Sequence, residues 1–265
     1  TWIMAVLLAG IIALPYIITL TVPNTKDNIN KTPLLFLTNQ SQGDLAVLRV
    51  FLGIYLIILM ARVIGLEYQL GTIRVLLSRG VGRLQLLLAK LLTVGIIGLL
   101  LFIVGLVYNA ILLTGLLAFT VGNLNAFNAI TSTFWSDTWT YMLTVLLSMG
   151  VTILMATAVS VLGRSLAFGL SAAVIWFPID NIGEIFLFLA NRITHNDFWL
   201  NVTAYLLGPN LNVMPGSILS PQAFTIGAPP YVQVDGTHTV VVALVYAAIF
   251  AVVAFVLTWR RDVKE

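Results

Sequence analysis

The stretch GLEYQLGTIRVLLSRGVGRLQLLLAK, residues 65–90, is charged and amphipathic, and it separates two long apolar runs of the sequence. These runs, residues 45–66 and 91–118, are each long enough to cross a hydrocarbon core, which takes about 20 apolar residues. The whole chain is 60% hydrophobic and only 9% charged, whereas soluble proteins are roughly one quarter charged. The sequence therefore predicts an integral membrane protein.

Four more apolar runs complete a set of six predicted spans. The six spans are residues 2–22, 45–66, 91–118, 139–162, 166–189 and 239–259. The first run starts at Thr1 without an initiator methionine, which we interpret as an incomplete start. The expected fold class is an all-α integral membrane protein, with residues 1–265 forming a single transmembrane domain.

Basic residues predict the orientation of the six spans. Nine of them fall at one set of span ends: Arg62, Arg74, Arg79, Arg83, Lys90, Arg164, Arg260, Arg261 and Lys264. Only Lys26, Lys31, Arg49 and Arg192 fall at the other set. Because short cytoplasmic loops carry the excess of Lys and Arg, we expect a multi-pass protein of the cell membrane with both termini cytoplasmic. The proline-rich segment 190–238 is then outside, and it is expected to be irregular with at most short helices.

The opening stretch has the period of an amphipathic helix. Its apolar stripe consists of Leu66, Leu70, Ile73 and Leu77, and the neighbouring polar stripe of Glu67, Gly71, Arg74 and Ser78. These spacings predict a helix over about residues 67–79 that ends at Gly80 and Gly82. Such a helix serves either as an interfacial anchor to anionic lipid or as a docking element for a cytoplasmic partner. Periodicity alone does not separate these two interpretations.

The same stretch resembles a family motif. Glu67-Tyr68, Gly71-Thr72-Ile73-Arg74, Leu77-Ser78-Arg79 and Arg83 to Lys90 are similar to the pattern E-Y-x-x-G-T-[IL]-R-x-L-L-S-R-x-V-x-R-x-x-L-L-x-x-K of the membrane subunits of type-2 ABC exporters. The tail Trp259-Arg260-Arg261-Asp262-Val263 is similar to the aromatic-R-R-D-V ending of that family's last helix. Many relatives have proline at the position of Gly80, and relatives usually begin with an amphipathic helix that this sequence lacks.

The resemblance implies a role for the stretch. In the family, this helix is a coupling helix that sits in a groove on a separate ATP-binding subunit. The residues that would form the transmission surface here are Glu67, Gly71, Thr72, Arg74, Arg79 and Arg83. The resemblance further implies a second membrane subunit, identical or paralogous, with ATP and Mg bound by the partner ATPase subunits, and export of a substrate.

Catalytic and cofactor motifs are missing from the sequence itself. It contains no G-x-x-x-x-G-K-[ST] loop and no cysteine, and its two histidines, His195 and His238, stand far apart. We therefore expect neither an ATP site of the P-loop kind nor a zinc site in this chain, and no cofactor of its own. No nucleophilic triad and no basic, aromatic-interleaved patch for nucleic acid is evident. The prediction is a protein that is not itself an enzyme.

Small residues at intervals of four predict two helix-packing seams. One seam consists of Ser148, Thr152, Ala156 and Ser160, and the other of Ser165, Gly169 and Ala173. Small side chains allow close approach of helices within a membrane. The pattern leaves open whether these seams pack within one protomer or across a dimer.

Charged residues near the other span ends form a second candidate site. Asp180 and Glu184 lie on one helical face after Pro178, with Arg192 as a candidate partner. A rise of about 1.5 Å per residue from Arg164 places both carboxylates near the outer boundary, so a solvated rim is favoured over an ion or substrate site. Arg49 is likewise expected to extend outward rather than line a pore.

Two other functions remain as alternatives to an ATP-driven exporter subunit. The first is a noncatalytic structural subunit, derived from a permease, within a larger membrane complex. The second is an ion-driven carrier, which is disfavoured because no span centre carries a convincing carboxylate and no inverted repeat is evident. The sequence does not indicate a substrate.

Overall fold

The computed structural model describes residues 2–72, 78, 80–219 and 223–260. All regular elements of the described residues are helices. They are α1 (Trp2–Thr21), α2 (Thr25–Lys31), α3 (Pro33–Gln69), α4 (Arg83–Thr120), a 3₁₀ helix (Asn125–Ala129), α5 (Ser132–Gly163), α6 (Leu166–Thr194), α7 (Phe198–Thr203), α8 (Leu207–Ile218) and α9 (Gly236–Arg260). The chain is therefore all-helical in its described part, as the sequence predicts.

Four helices are long and apolar enough to cross a membrane, among the described residues: α3, α4, α5 and α9. Two shorter apolar stretches, Ala9–Thr21 and Leu166–Trp176, lie in α1 and α6. All six lie in or beside the predicted spans, and among the described residues four of them meet both the length and the hydropathy expected of a membrane-crossing helix. The expectation of six spans therefore stays a prediction.

The core of the bundle lies between α3 and α5. Their facing side chains are fully buried, including Leu52, Leu56 and Met60 of α3 and Val145 and Ala156 of α5. In its most apolar stretch α5 has 67% of its residues buried, against 22% in α4 and 17% in α9. The faces of α4 and α9 that point away from the central pair are thus apolar and exposed, as expected of helices that contact lipid.

Helix α3 begins earlier than hydropathy predicts. The apolar run starts at residue 45, but the helix starts at Pro33 and continues for 37 residues. Pro33 suits the first turn of a helix, where the backbone N–H has no partner. The polar side chains before residue 45 are satisfied by distant groups: Gln42 Oε1 accepts from the Phe224 backbone N–H at 3.0 Å. Tertiary contacts thus extend the helix beyond its apolar run.

Segment 190–238 holds the two short helices α7 and α8, followed by a loop without regular structure over residues 223–235.

Arg49 of α3 binds both α8 and this loop. Its guanidinium donates to the backbone oxygen of Leu211, to Asn212 Oδ1 at 2.9 Å and to the backbone oxygen of Ile226 at 3.0 Å. The expectation that Arg49 extends outward was wrong: the side chain is buried because three acceptors replace its water.

Candidate functional site

The site is built around the connecting segment, which we define as residues 70–82, between α3 and α4. The final turn of α3 closes with a hydrogen bond of 2.8 Å from the Leu70 N–H to the Leu66 oxygen. Gly71 then adopts φ +67° and Gly80 φ +84°. Residues with a Cβ avoid this left-handed region, so a glycine at each position lets the chain leave one helix and turn toward the next.

The first glycine changes the predicted helix boundary. Residues 67–69 belong to α3, and the break at Gly71 interrupts the predicted polar stripe. A helix over residues 67–79 therefore does not form as one element, although Thr72 and Ser78 are helical. Helix breaks were predicted at Gly80 and Gly82, whereas the helix end at Gly71 was not predicted.

Glu67 pairs with Lys90 within the chain. The Glu67 Oε2 and Lys90 Nζ atoms lie 2.6 Å apart, with side-chain exposures of 24% and 9%. Glu67 is in the last turn of α3 and Lys90 is two turns into α4, so the ion pair joins the two helices at the base of the connecting segment. Glu67 thus holds the base of the segment, and its place on the surface offered to a partner stays a prediction.

Arg83 contacts the end of the last helix. Its Nη1 lies 3.5 Å from the backbone oxygen of Trp259, in the final turn of α9. Arg83 thus links the start of α4 to α9, a contact that the spacing of residues in the sequence did not reveal.

Gly65 brings α3 against the start of α6. A Cβ on Gly65 would lie 2.5 Å from the Cα of Leu166, so the two backbones touch at this point. With the Glu67–Lys90 pair and Arg83, this contact brings α3, α4, α6 and α9 together at the base of the connecting segment.

The described ends of the connecting segment face outward. Thr72 and Ser78 are exposed, and Leu70 exposes 70% of its surface. Arg74 and Arg79, also expected on the transmission surface, lie outside the described residues, as do residues 73–77. The described ends of the segment are thus exposed, and the Glu67–Lys90 pair lies at its base.

The predicted packing seams meet inside the chain. Ser148, Thr152, Ala156 and Ser160 are all buried in α5, and a Cβ on Gly169 would lie 2.8 Å from Ser160 Oγ. Ser160 and Gly169 therefore form a close α5–α6 contact within one protomer. Ser165 instead caps α6, accepting from the Phe168 N–H at 3.1 Å, and the side chain of Ala173 lies outside the description.

The predicted solvated rim is not what the structure shows. Glu184 is 1% exposed, so this carboxylate is inside the protein rather than in water. Arg192 is exposed and lies over the Phe188 ring, 5.2 Å from its centroid. The expected depth of the two carboxylates along the helix axis stays a prediction, whereas the exposure of Glu184 depends on neighbouring helices, which position along one helix does not include. The side chain of Asp180 lies outside the described residues.

Lys90 was not predicted as a site residue, although the sequence motif carries a signal for it. Glu67 and Lys90 are the first and last residues of the quoted family pattern, and opposite charges at its two ends suit a closed turn.

Among the described residues, no group of three or more His, Cys, Asp or Glu side chains is placed to hold a metal.

These features define a class of protein: a multi-pass, all-helical membrane protein whose two long helices α3 and α4 are joined by an exposed, braced turn. A family model described as ABC-2 family transporter protein matches residues 1–180. The chain belongs to this family of ABC transporter membrane subunits, which confirms the resemblance seen in residues 67–90.

A curated protein is similar to this chain over most of its length. "Uncharacterized protein YhcI" of Bacillus subtilis (strain 168) is 25% identical over 227 residues, which cover 84% of this chain and 68% of the relative. No solved structure matches the chain.

Proposed function

We propose that this chain is the permease subunit of an ATP-driven exporter, and that the connecting segment is its docking element for a separate ATP-binding subunit. Two membrane subunits, identical or paralogous, would form the translocation path in the cell membrane with both termini cytoplasmic. ATP and Mg would be bound by the ATPase subunits, because this chain has no phosphate-binding loop of its own.

The Glu67–Lys90 pair is the observation that carries this proposal. A flexible loop would absorb a push from a partner, since its backbone has many accessible conformations. Here the ion pair of 2.6 Å closes the base of the turn. A force on the exposed residues therefore moves α3 and α4 together rather than deforming the turn.

The remaining contacts extend this movement to the rest of the bundle. The backbone contact at Gly65 engages α6, and the Arg83 contact with Trp259 engages α9. Closure of the ATPase subunits on ATP would press on the segment and tilt all four helices. Such a concerted tilt is the kind of rigid-body change by which packed helices alternate between two arrangements.

The test is affinity purification of the full-length protein from its native membrane, with identification of the proteins that copurify. An ATP-binding subunit should accompany the wild type and be lost from Arg74→Glu, which reverses a charge within the segment. Arg62→Glu is the matched control, because Arg62 is exposed at the same end of α3 but outside the segment. It should retain the ATPase.

Two outcomes would overturn the proposal. A wild-type complex that holds other membrane proteins but no ATPase would indicate the structural subunit considered above. Equal loss of the ATPase from Arg74→Glu and Arg62→Glu would indicate that basic residues at this end act through anionic lipid rather than through a docking surface.

A further inference from the structure

A groove opens at the end of the bundle opposite the connecting segment. It has a volume of about 220 Å³ and lies between α1, α3, α4, the 3₁₀ helix and the start of α5. Most of its walls are apolar, including Leu106, Leu113, Phe127, Phe134 and Met142. The groove therefore suits the hydrocarbon part of a ligand.

A carboxylate lies at the floor of this apolar groove. Asp44 lines it and is only 3% exposed. The Tyr16 hydroxyl donates to Asp44 Oδ2, and Gln40 Nε2 donates to Asp44 Oδ1 at 3.1 Å. Both donors are uncharged, and Asp44 has no ion-pair partner in the described part of the chain. A buried carboxylate is normally stabilised by an opposite charge as well as by hydrogen bonds.

Asn109 provides a second, independent indication of a ligand. This side chain is 8% exposed and lines the same groove. Neither its Nδ2 nor its Oδ1 has a hydrogen-bond partner within the described structure. Leaving such a buried group unpaired costs about 1–3 kcal/mol, so a ligand that donates a hydrogen bond to the Oδ1 atom gains affinity.

The charge of the groove selects the ligand class. None of the described residues that line it is Lys, Arg or His, so no cationic side chain of the groove is available to pair with the Asp44 carboxyl group. A primary ammonium has three N–H donors, enough for the Asp44 carboxylate and Asn109 Oδ1 together. A carboxylate or phosphate head would instead meet Asp44 as a like charge.

We infer that this groove binds a single-chain cationic amphiphile, with its ammonium group against Asp44 and Asn109 and its apolar chain along the groove. The volume lies below the roughly 300–1,000 Å³ of sites for drug-sized ligands, so a short alkylammonium fits. This binding site goes beyond the proposed function, because it requires no ATPase partner and lies at the other end of the bundle.

The experiment measures binding of radiolabelled octylammonium to the full-length protein in nanodiscs of zwitterionic phospholipid. Octanol and octanoate serve as neutral and anionic competitors of the same chain length. Octylammonium should bind saturably, and neither competitor should displace it at equal concentration. Failure to saturate, or displacement by octanol as effective as by unlabelled octylammonium, would overturn the inference.

Two variants separate charge from shape. Asp44→Asn keeps the size of the side chain and should weaken binding by about tenfold or more, as expected for loss of a charge-assisted hydrogen bond of about 1.5–3 kcal/mol. Its control is Asp137→Asn, which removes a charge from α5 outside the groove and should leave the affinity unchanged. Equal affinities of Asp44→Asn and wild type would refute the role of the carboxylate.

Ala110→Trp tests the groove without altering any charge. Ala110 lines the groove and is exposed on α4, so an indole there fills the space for the alkyl chain and should abolish binding. Ile111→Trp adds the same indole at the next residue, which does not line the groove, and should bind normally. Unchanged binding by Ala110→Trp would place the ligand elsewhere, even if Asp44→Asn failed to fold.

Discussion

A double-mutant cycle on Glu67 and Lys90 provides the sharpest test of the braced turn. The changes are Glu67→Gln, Lys90→Met and both together. Exposed ion pairs contribute about 0.2–1 kcal/mol, whereas breaking a fully buried pair costs about 3–5 kcal/mol. With side-chain exposures of 24% and 9%, this pair lies between those limits. We expect a coupling free energy of about 1–3 kcal/mol.

The two single changes should be unequal. Glu67→Gln leaves the ammonium of Lys90, which is 9% exposed, without a partner, whereas Lys90→Met leaves the carboxylate of Glu67, which is 24% exposed. Because the more buried charge is harder to solvate, Glu67→Gln should lower the free energy of unfolding more than Lys90→Met does.

The measurement is the free energy of unfolding in mixed micelles, titrated with a denaturing detergent. The control cycle is Asp27→Asn with Lys31→Met on α2, where both side chains are exposed, and its coupling should not exceed about 0.5 kcal/mol. A Glu67–Lys90 coupling no larger than the control, or a larger loss for Lys90→Met than for Glu67→Gln, would refute the reasoning.

The same pair has a functional consequence for ATPase binding. Glu67→Lys should impair copurification of the ATPase because it sets two cations against each other, and adding Lys90→Glu should restore it. If Glu67 instead contacted the partner directly, the exchanged pair would remain defective.

Three further predictions concern the stability of single elements. Gly65→Ala forces α3 away from the backbone of α6 and should lower the free energy of unfolding by about 1–3 kcal/mol, whereas Gly53→Ala on the same helix meets no atom within 4 Å and should be tolerated in thermal unfolding. Gly71→Ala places a Cβ at φ +67° and should cost about 1–2 kcal/mol in the same assay. Arg49→Met removes the donor that holds the loop and should accelerate proteolysis within residues 223–235.

Each of these has a clear contrary result. Equal thermal stability of Gly65→Ala and Gly53→Ala would show that the two backbones are not in contact. An unchanged midpoint of thermal unfolding for Gly71→Ala would mean that the chain tolerates a side chain at residue 71. An unchanged cleavage rate for Arg49→Met would show that other contacts hold the loop.

The membrane class and the family were predictable from the sequence because their signals are local. Apolar runs of about 20 residues reflect the thickness of a bilayer, and the motif from Glu67 to Lys90 is contiguous. Residue identities at fixed spacing were enough for both conclusions. Residue identities were not enough to predict where helices begin and end. Polar residues before residue 45 continue α3 because they have hydrogen-bond partners in other segments.

The site could be predicted only in outline, because side-chain roles depend on neighbours distant in sequence. Arg49 and Asn212 are 163 positions apart, and Arg83 meets a carbonyl 176 positions away. Hydropathy treats Arg49 as a charge that seeks water, whereas the folded chain places three acceptors around its guanidinium. Glu184 was assigned to a solvated rim for the same reason, and it is buried.

The sequence by itself determined that this chain lies in a membrane, that it is helical and that it belongs with ABC-2 transporter proteins. Only the tertiary structure decided that Glu67 braces the turn, that Ser160 and Gly169 meet within one protomer, and that Asp44 lies at the floor of an apolar groove. The physical reason is that burial and pairing are properties of helices packed together. A charge is recognised in the sequence, but its partner and its access to water exist only once the bundle has formed.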